Sequence, residues 1–263
     1  FRPDLESAIL ETIARRLFGD NPPCKCGGAH VVCLGCAVCR AAKPDQLYDP
    51  AAGIASIIDA TLLRADATQA EVNALCDLAN DHKCASVCVN SHFSHPLQLR
   101  LSAAVKSCTV INFPLGAGYT YAVAAEALAV INTGIEELDM VQNLSAVKSG
   151  HILHSYELIR NIAELCRSNR VLLKVILETC FLSEEEIIAC SLYAKKAGAE
   201  FVKTSTGFGP AGATVANVSL MRQTVGPKIG VKASGGIRTH EQALAMIASG
   251  ANRIGASSVT ALL

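Results

Sequence analysis

"LLKVILETCFLSEEEIIACSLYAKKAGAEFVKTSTGFG", residues 172–209, decides the fold. It opens with an apolar run over 172–178 that carries one charge in its middle, Lys174. A helix-like stretch follows at 184–197. A second apolar run, 200–204, places Lys203 near its end and opens into the hydroxyls and glycines of residues 205–209. Strand, helix and strand in immediate succession predict two parallel strands joined by a helical crossover.

The same alternation extends in both directions. Further strand-like runs are "SIID" (56–59), "SVCVN" (86–90), "CTVINF" (108–113), "EELDMV" (136–141), "IGVKAS" (229–234) and "NRIGAS" (252–257). Helical stretches between them include 68–82, 119–133, 154–167 and 240–249. Eight such units predict a closed (β/α)8 barrel, a TIM barrel of the α/β class. The rival is an open doubly wound sheet. It is weakened because no dinucleotide-type glycine turn follows the first strand. The barrel is expected over residues 51–263, after a short amphipathic helix at 1–20 and a Cys-rich segment with linker at 21–50.

Composition agrees. Apolar residues make up 51% of the 263, with no tryptophan and only 5% aromatics, so the core must be aliphatic. Lys plus Arg and Asp plus Glu both number 23, and the formal net charge is zero. A neutral chain without a basic block is a poor partner for nucleic acid or an anionic membrane surface. No apolar run approaches the roughly 18 residues needed to span a bilayer. Seven cysteines (Cys76, Cys84, Cys88, Cys108, Cys166, Cys180, Cys190) are scattered through apolar surroundings. They read as small core residues in a reduced, cytoplasmic compartment.

In such a barrel the reactive side chains sit at the C-terminal ends of strands. Those ends give Asp59, Asn90, Asp139, Lys174, Lys203 and Lys232. A buried strand lysine is costly to keep charged, and a second lysine nearby raises that cost. A neutral amine is a nucleophile that forms Schiff bases with carbonyl substrates. Lys203 and Lys232 end consecutive strands, which places their amines within reach of one another. The plainer reading of each lysine is an ion pair inside the barrel, with Asp139 or Glu178 as partner. Loops "STGFG" (205–209), "SGGIR" (234–238) and "GASS" (255–258) follow the last three strands and offer amides and hydroxyls suited to phosphate.

Together, "IDATLL", "SVCVN", "FPLG", "EELDMV", "LKVILET", "FVKTSTGF" and "VKASGGIRT" resemble the deoxyribose-phosphate aldolase family, class I Schiff-base aldolases, over residues 54–263. The resemblance implies Lys203 as the Schiff-base lysine, Lys232 as the neighbour that lowers its pKa, and Asp139 as an acid/base group working with water. It implies Asp59, Lys174 and Cys88 as pocket residues, and Gly207, Gly235, Gly236, Ser257 and Ser258 as the phosphate site. The implied reaction is reversible cleavage of 2-deoxy-D-ribose 5-phosphate to acetaldehyde and D-glyceraldehyde 3-phosphate, without a catalytic cofactor. Departures from the family pattern include Ala60 for histidine, Asn112 for glycine and "GASSV", which ends in Val259, for "GTSSG". The alternatives are another Schiff-base sugar-phosphate aldolase and a non-catalytic barrel scaffold. A homodimer is expected, since such barrels often pair through their outer helices.

"CKCGGAHVVCLGCAVC" lies outside that pattern. Cys24, Cys26, Cys33, Cys36 and Cys39 form a C-x-C-x6-C-x2-C-x2-C array. Four thiolates hold zinc tetrahedrally, and the same spacing also suits an iron–sulfur cluster. The plainer reading is a flexible arm of free or oxidised thiols. In residues 1–20, Leu5, Ile9, Ile13 and Leu17 form an apolar stripe capped by Asp4 and stopped at Gly19. Such a stripe either packs on the barrel or docks on a partner. The arrangement is similar to the encapsulation peptides of bacterial microcompartment cargo, which implies a shell protein as partner.

Overall fold

The computed structural model describes residues 52–263. The amphipathic helix expected at 1–20, its shell-protein contact, and the zinc or iron–sulfur site expected at Cys24, Cys26, Cys33, Cys36 and Cys39 lie outside the described residues. Eight parallel strands follow one another in chain order: β1 (Ile58–Leu62), β2 (Ser86–Val89), β3 (Lys106–Ile111), β4 (Glu137–Val141), β5 (Leu172–Ile176), β6 (Phe201–Lys203), β7 (Gly230–Ser234) and β8 (Arg253–Ala256). β8 pairs back onto β1, which closes the barrel. Helices cover the outside: α1 (Gln69–His82), α2 (Ser94–Leu97), α3 (Thr120–Ile131), α4 (Leu144–Lys148), α5 (Ile152–Ser168), α6 (Glu184–Ala197), α7 (Val215–Val225) and α8 (His240–Ala248).

Strand alternation sorts the side chains. Leu138, Met140, Leu173, Val175, Val202, Val231 and Ile254 are fully buried and belong to the apolar layer shared with the helices. Their neighbours Asp139, Lys174, Lys203 and Lys232 point the other way, into the barrel. Burying each large aliphatic chain contributes about 1.5–3 kcal/mol. The outer layer therefore supplies the stability that a charged interior does not. On α5, Leu158, Ile159, Ile162 and Cys166 form the buried stripe at helical spacing.

α6 shows how local chemistry fixes a boundary. Ser183 caps it, with Glu186 N donating to Ser183 Oγ at 3.2 Å and Ser183 N donating to Glu186 Oε2 at 2.8 Å. Glu184, Glu185 and Glu186 occupy the positive end of the helix dipole, and Lys195 and Lys196 the negative end. Gly198 ends it with φ 104°.

One strand differs in a way that matters. The first was expected at 56–59, with Asp59 at its C-terminal end. Instead Ile54–Ile57 form a 3-10 turn, held by Ser56 Oγ donating to Gly53 O at 2.7 Å. β1 starts at Ile58, so Asp59 lies near its N-terminal end. Asp59 therefore sits deep in the barrel instead of at its mouth.

Candidate active site

β4 and β5 place Asp139 and Lys174 side by side in register, and β6, β7 and β8 place Lys203, Lys232 and Arg253 in one continuous row. Asp139 is the centre. Its Oδ1 receives Lys174 Nζ at 2.8 Å, and its Oδ2 receives Lys203 Nζ at 2.8 Å and Lys232 Nζ at 2.7 Å. Below it lies a second set of carboxylates. Asp59 Oδ2 is 2.5 Å from Lys232 Nζ and 3.9 Å from Lys174 Nζ. Glu137 Oε2 is 2.6 Å from Lys174 Nζ. Arg253 closes this layer, with Nε 2.6 Å from Asp59 Oδ1 and Nη2 bridging both oxygens of Glu137. Ser86 Oγ donates to Asp59 Oδ1 at 2.6 Å.

Burial opposes every charge here, and the partners overcome it. Burial raises the Asp139 carboxyl, but Lys174, Lys203 and Lys232 hold it well below the usual carboxylate range. Asp59 is likewise raised by burial and brought far down by Arg253, Lys232 and Lys174. Burial lowers Lys174 and Lys232, yet the surrounding carboxylates push both above the ordinary lysine value. Both remain ammonium groups at neutral pH. Gly255 makes room for Lys232: a Cβ there would lie 3.1 Å from Lys232 Cε and 3.0 Å from Ser234 Cβ.

Cys88 and Cys108 are register partners on β2 and β3, both fully buried and facing Asp139. Cys108 Sγ lies 3.4 Å from Asp139 Oδ1 and receives Lys174 Nζ at 3.5 Å. A hydrogen bond with Cys108 lowers the Cys88 thiol against the effect of burial, while burial pushes Cys108 well up. Cys88, Cys108 and Asp139 are close enough to share a soft metal ion. A dication there would have to displace the ammonium groups that occupy both oxygens of Asp139.

The loops after β6, β7 and β8 carry the residues expected to hold phosphate. Gly207, Gly235 and Gly236 have φ of 90°, 84° and 78°, a region that strains any other L residue. A Cβ at Gly207 or Gly236 would meet nothing within 4 Å, so the backbone angle alone requires glycine there. Gly207, Gly236, Ser257 and Ser258 are exposed. The glycines do not sit at helix starts. α7 and α8 begin later, and their ends are capped by Thr214 and Thr239, whose Oγ1 atoms accept from Asn217 N and Gln242 N. Whatever anion binding these loops support rests on loop amides and hydroxyls, not on a helix dipole.

Two expected roles go elsewhere. Glu178 is not an ion-pair partner of the lysines. It accepts Thr206 N at 3.2 Å and the Thr206 hydroxyl, tying the loops after β5 and β6 together. Asn90 donates to Leu63 O at 3.2 Å and braces the loop after β1. Glu137, Cys108 and Arg253 were not singled out from the sequence, although Glu137 sits two residues before Asp139 on the same strand face. A cleft of about 520 Å³ beside Phe113 and Leu115 contains none of the charged cluster.

The DeoC/LacD family aldolase model matches residues 54–263. The chain belongs to the DeoC/LacD aldolase family. It is therefore a lyase with a full barrel of that family. A deoxyribose-phosphate aldolase of Thermoanaerobacter sp. (strain X514) is 50% identical over 208 residues, covering 78% of this chain and 93% of that one. One of Brevibacillus brevis (strain 47) is 50% identical over 203 residues, covering 76% and 90%. The solved structure of the deoxyribose phosphate aldolase from Aeropyrum pernix, described as tetrameric, superposes with a TM-score of 0.74 at 33% identity, covering 79% and 88%.

Within this DeoC/LacD aldolase the departures noted from sequence have local explanations. Asn112 has φ 53°, a left-handed conformation that asparagine tolerates. Its Nδ2 donates to Val141 O at 2.8 Å and its Oδ1 accepts from Gly118 N at 2.8 Å. Ala60 is fully buried on the outer face of β1, away from the charged cluster, and Val259 is buried in the apolar core. Among the described residues, no helix is long and apolar enough to cross a membrane.

Proposed function

We propose that the chain reversibly cleaves 2-deoxy-D-ribose 5-phosphate to acetaldehyde and D-glyceraldehyde 3-phosphate, with Lys203 as the Schiff-base amine. The carrying observation is the uneven hold on three lysines. Among the described residues, Lys174 faces three carboxylates and Lys232 two, whereas Lys203 meets Asp139 alone. Lys203 is also the last residue of its strand, toward the open end where the glycine loops lie. It is the amine with the fewest carboxylate contacts among the described residues, and it lies at the loop end of its strand. The identity of about 50% to enzymes named for this reaction favours it over another sugar-phosphate aldolase or an idle scaffold.

In this reading the neutral Lys203 Nζ adds to the C1 aldehyde and water leaves, giving an iminium. Asp139 then faces a cation in the place of the ammonium it held, which stabilises the iminium. The C3 hydroxyl gives up its proton, and the C2–C3 bond breaks because acetaldehyde carries only C1 and C2. The bond pair moves into the iminium to leave an enamine, and glyceraldehyde 3-phosphate departs. The enamine carbon C2 then takes a proton, and water hydrolyses the iminium to release acetaldehyde and restore the amine. Asp139, with a water, moves these protons while Lys232 stays an ammonium. The lysine itself supplies the electron sink, so the steps need no cofactor. Asp59, Lys174 and Cys88 shape the inner pocket, and Gly207, Gly235, Gly236, Ser257 and Ser258 bind the phosphate at the rim. Residues 1–20 and 21–50 are read as segments appended to the catalytic barrel, supported by a family match that begins at residue 54. The tetramer of one relative supports self-association, with a dimer as the smallest unit.

The test is turnover of 2-deoxyribose 5-phosphate by the wild type and by Lys203→Ala, together with cyanoborohydride trapping of acetaldehyde. Turnover and an adduct on Lys203 are expected in the wild type only. A wild type that cleaves nothing and carries no adduct removes the proposal.

A further inference from the structure

We infer that Arg253, at the opposite end of the barrel from the substrate loops, is what leaves Lys203 free to act as an amine. This rests on Lys203 being the Schiff-base lysine. Inside the barrel, Asp59, Glu137 and Asp139 supply three negative charges, and Lys174, Lys203, Lys232 and Arg253 supply four positive ones. Each strand facing Lys203 contributes as follows: Asp59 from β1, the thiols Cys88 and Cys108 from β2 and β3, Glu137 and Asp139 from β4, Lys174 from β5, Lys232 from β7 and Arg253 from β8. The thiols add no charge while protonated. The buried Glu178 carboxylate in the loop after β5 turns its oxygens to Thr206 N and Oγ1 and makes no ion pair with these lysines. Among the described side chains that ion-pair inside the barrel, one cation is therefore in surplus.

The contacts decide where the surplus falls. Arg253 engages both lower carboxylates, Asp59 through Nε and Glu137 through Nη2. These are the carboxylates that also face Lys174 and Lys232. With Asp59 and Glu137 shared in this way, Lys174 and Lys232 draw on Asp139 as well. Lys203 is left with part of one carboxylate. Without Arg253, Asp59 and Glu137 would neutralise Lys174 and Lys232, and Asp139 would belong to Lys203. The ammonium form of Lys203 would then be favoured. Arg253 touches neither the lysine nor the open end, so it acts as a positioning residue through the charge balance. Its side chain also stacks over Phe201, with Cζ 5.8 Å from the ring centroid, which fixes where its charge lies.

The experiment follows the rate of acetaldehyde trapping at Lys203 by cyanoborohydride, located by mass spectrometry on the full chain, as a function of pH. Arg253 lies two strands from Lys203, about 10 Å away. At that distance and an effective dielectric near 20, removing its charge should move the acid limb of the profile upward by about one pH unit. Arg253→Met should show that shift, a roughly tenfold slower trapping on the acid limb. Arg253→Lys should restore most of the wild-type profile. Glu137→Gln removes a negative charge and should move the limb down, which keeps the claim testable should Arg253→Met not fold. An unmoved limb in Glu137→Gln overturns the inference. So does an equal shift in Arg253→Met and Arg253→Lys, which would trace the effect to packing on Phe201. A wild type without any adduct at Lys203 is a separate outcome and overturns the Schiff-base reading itself.

Discussion

Lys203 and Lys232 are register partners on adjacent strands, and their ammonium groups meet on one oxygen, Asp139 Oδ2, at 2.8 and 2.7 Å. The carboxylate stands between the two cations. Lys232 and Lys203 therefore share a single anion, an arrangement that repulsion between two neighbouring amines does not by itself describe.

Asp139→Asn tests that arrangement. The change leaves three ammonium groups around a neutral amide. Removing one partner of a buried ionic network typically costs about 3–5 kcal/mol. Urea unfolding at neutral pH should show a loss of that size, and cleavage activity should fall with it. A variant as stable as the wild type would show that the three lysines do not depend on this carboxylate.

The same network sets the pH window of stability. Asp59 and Asp139 are held below their ordinary range in the fold. Their contribution is present above the unfolded carboxylate value of about 4 and is lost as pH falls through the folded values. Lys174 and Lys232 are held above their ordinary range. Their contribution is present below the unfolded value of about 10.4 and is lost as pH rises through the folded ones. Urea midpoints should therefore form a broad plateau from mildly acid to mildly alkaline pH and drop on both sides. Asp139→Asn should flatten the acid-side drop. A wild type whose midpoint keeps rising from neutral pH through the lysine range would contradict the raised lysines.

The barrel was legible because its outward strand positions are aliphatic and its helices carry their own caps, as at Ser183 and Gly198. Lys203, Lys232 and Asp139 were legible because a lone charge inside an apolar strand run has no solvent to face. Glu137 and Arg253 were not, because each is the first residue of its strand and follows polar neighbours. Glu136, beside Glu137, does face solvent and pairs with Lys106 at 2.7 Å. Only strict alternation from Asp139 back to Glu137 separates the two. Asp59 was placed at the wrong end of its strand because "SIID" looks extended, whereas its first two residues lie in the Ile54–Ile57 turn that Gly53 and Ser56 close. α7 was not singled out. Its sequence carries Val215, Val218 and Val225, β-branched residues that weaken a helix pattern, and Thr214 alone marks its start.

Asn112 separates backbone strain from lost hydrogen bonds. Asn112→Ala keeps a Cβ at φ 53° and strands Val141 O and Gly118 N. A loss of about 2–3 kcal/mol is expected, combining the left-handed penalty with unmade buried bonds. Asn112→Gly removes the strain but not the lost bonds and should fall between alanine and the wild type. Urea midpoints in the order Asn, Gly, Ala support this account. Equal losses for glycine and alanine would remove the strain from it.

Gly255 offers a probe of Lys232 that leaves its charge in place. A methyl group at 255 would press on Lys232 Cε and Ser234 Cβ at 3.1 and 3.0 Å. Ser234 is fixed, because its hydroxyl donates to Ser205 O at 2.6 Å. The flexible lysine must give way. A shift of a few tenths of an ångström would loosen the contacts of its Nζ with Asp59 Oδ2 and Asp139 Oδ2. Asp139 would then hold Lys203 more firmly as an ammonium. Gly255→Ala should therefore fold with a stability loss of about 1–3 kcal/mol, the usual cost of overpacking. It should lose roughly tenfold or more in kcat, since small displacements in a charged site are costly to rate. The pH profile of acetaldehyde trapping at Lys203 should move upward, in the direction expected for Arg253→Met. An alanine variant with unchanged kcat and profile would mean that Lys232 tolerates displacement and that its contact with Asp139 does not tune the neighbouring amine.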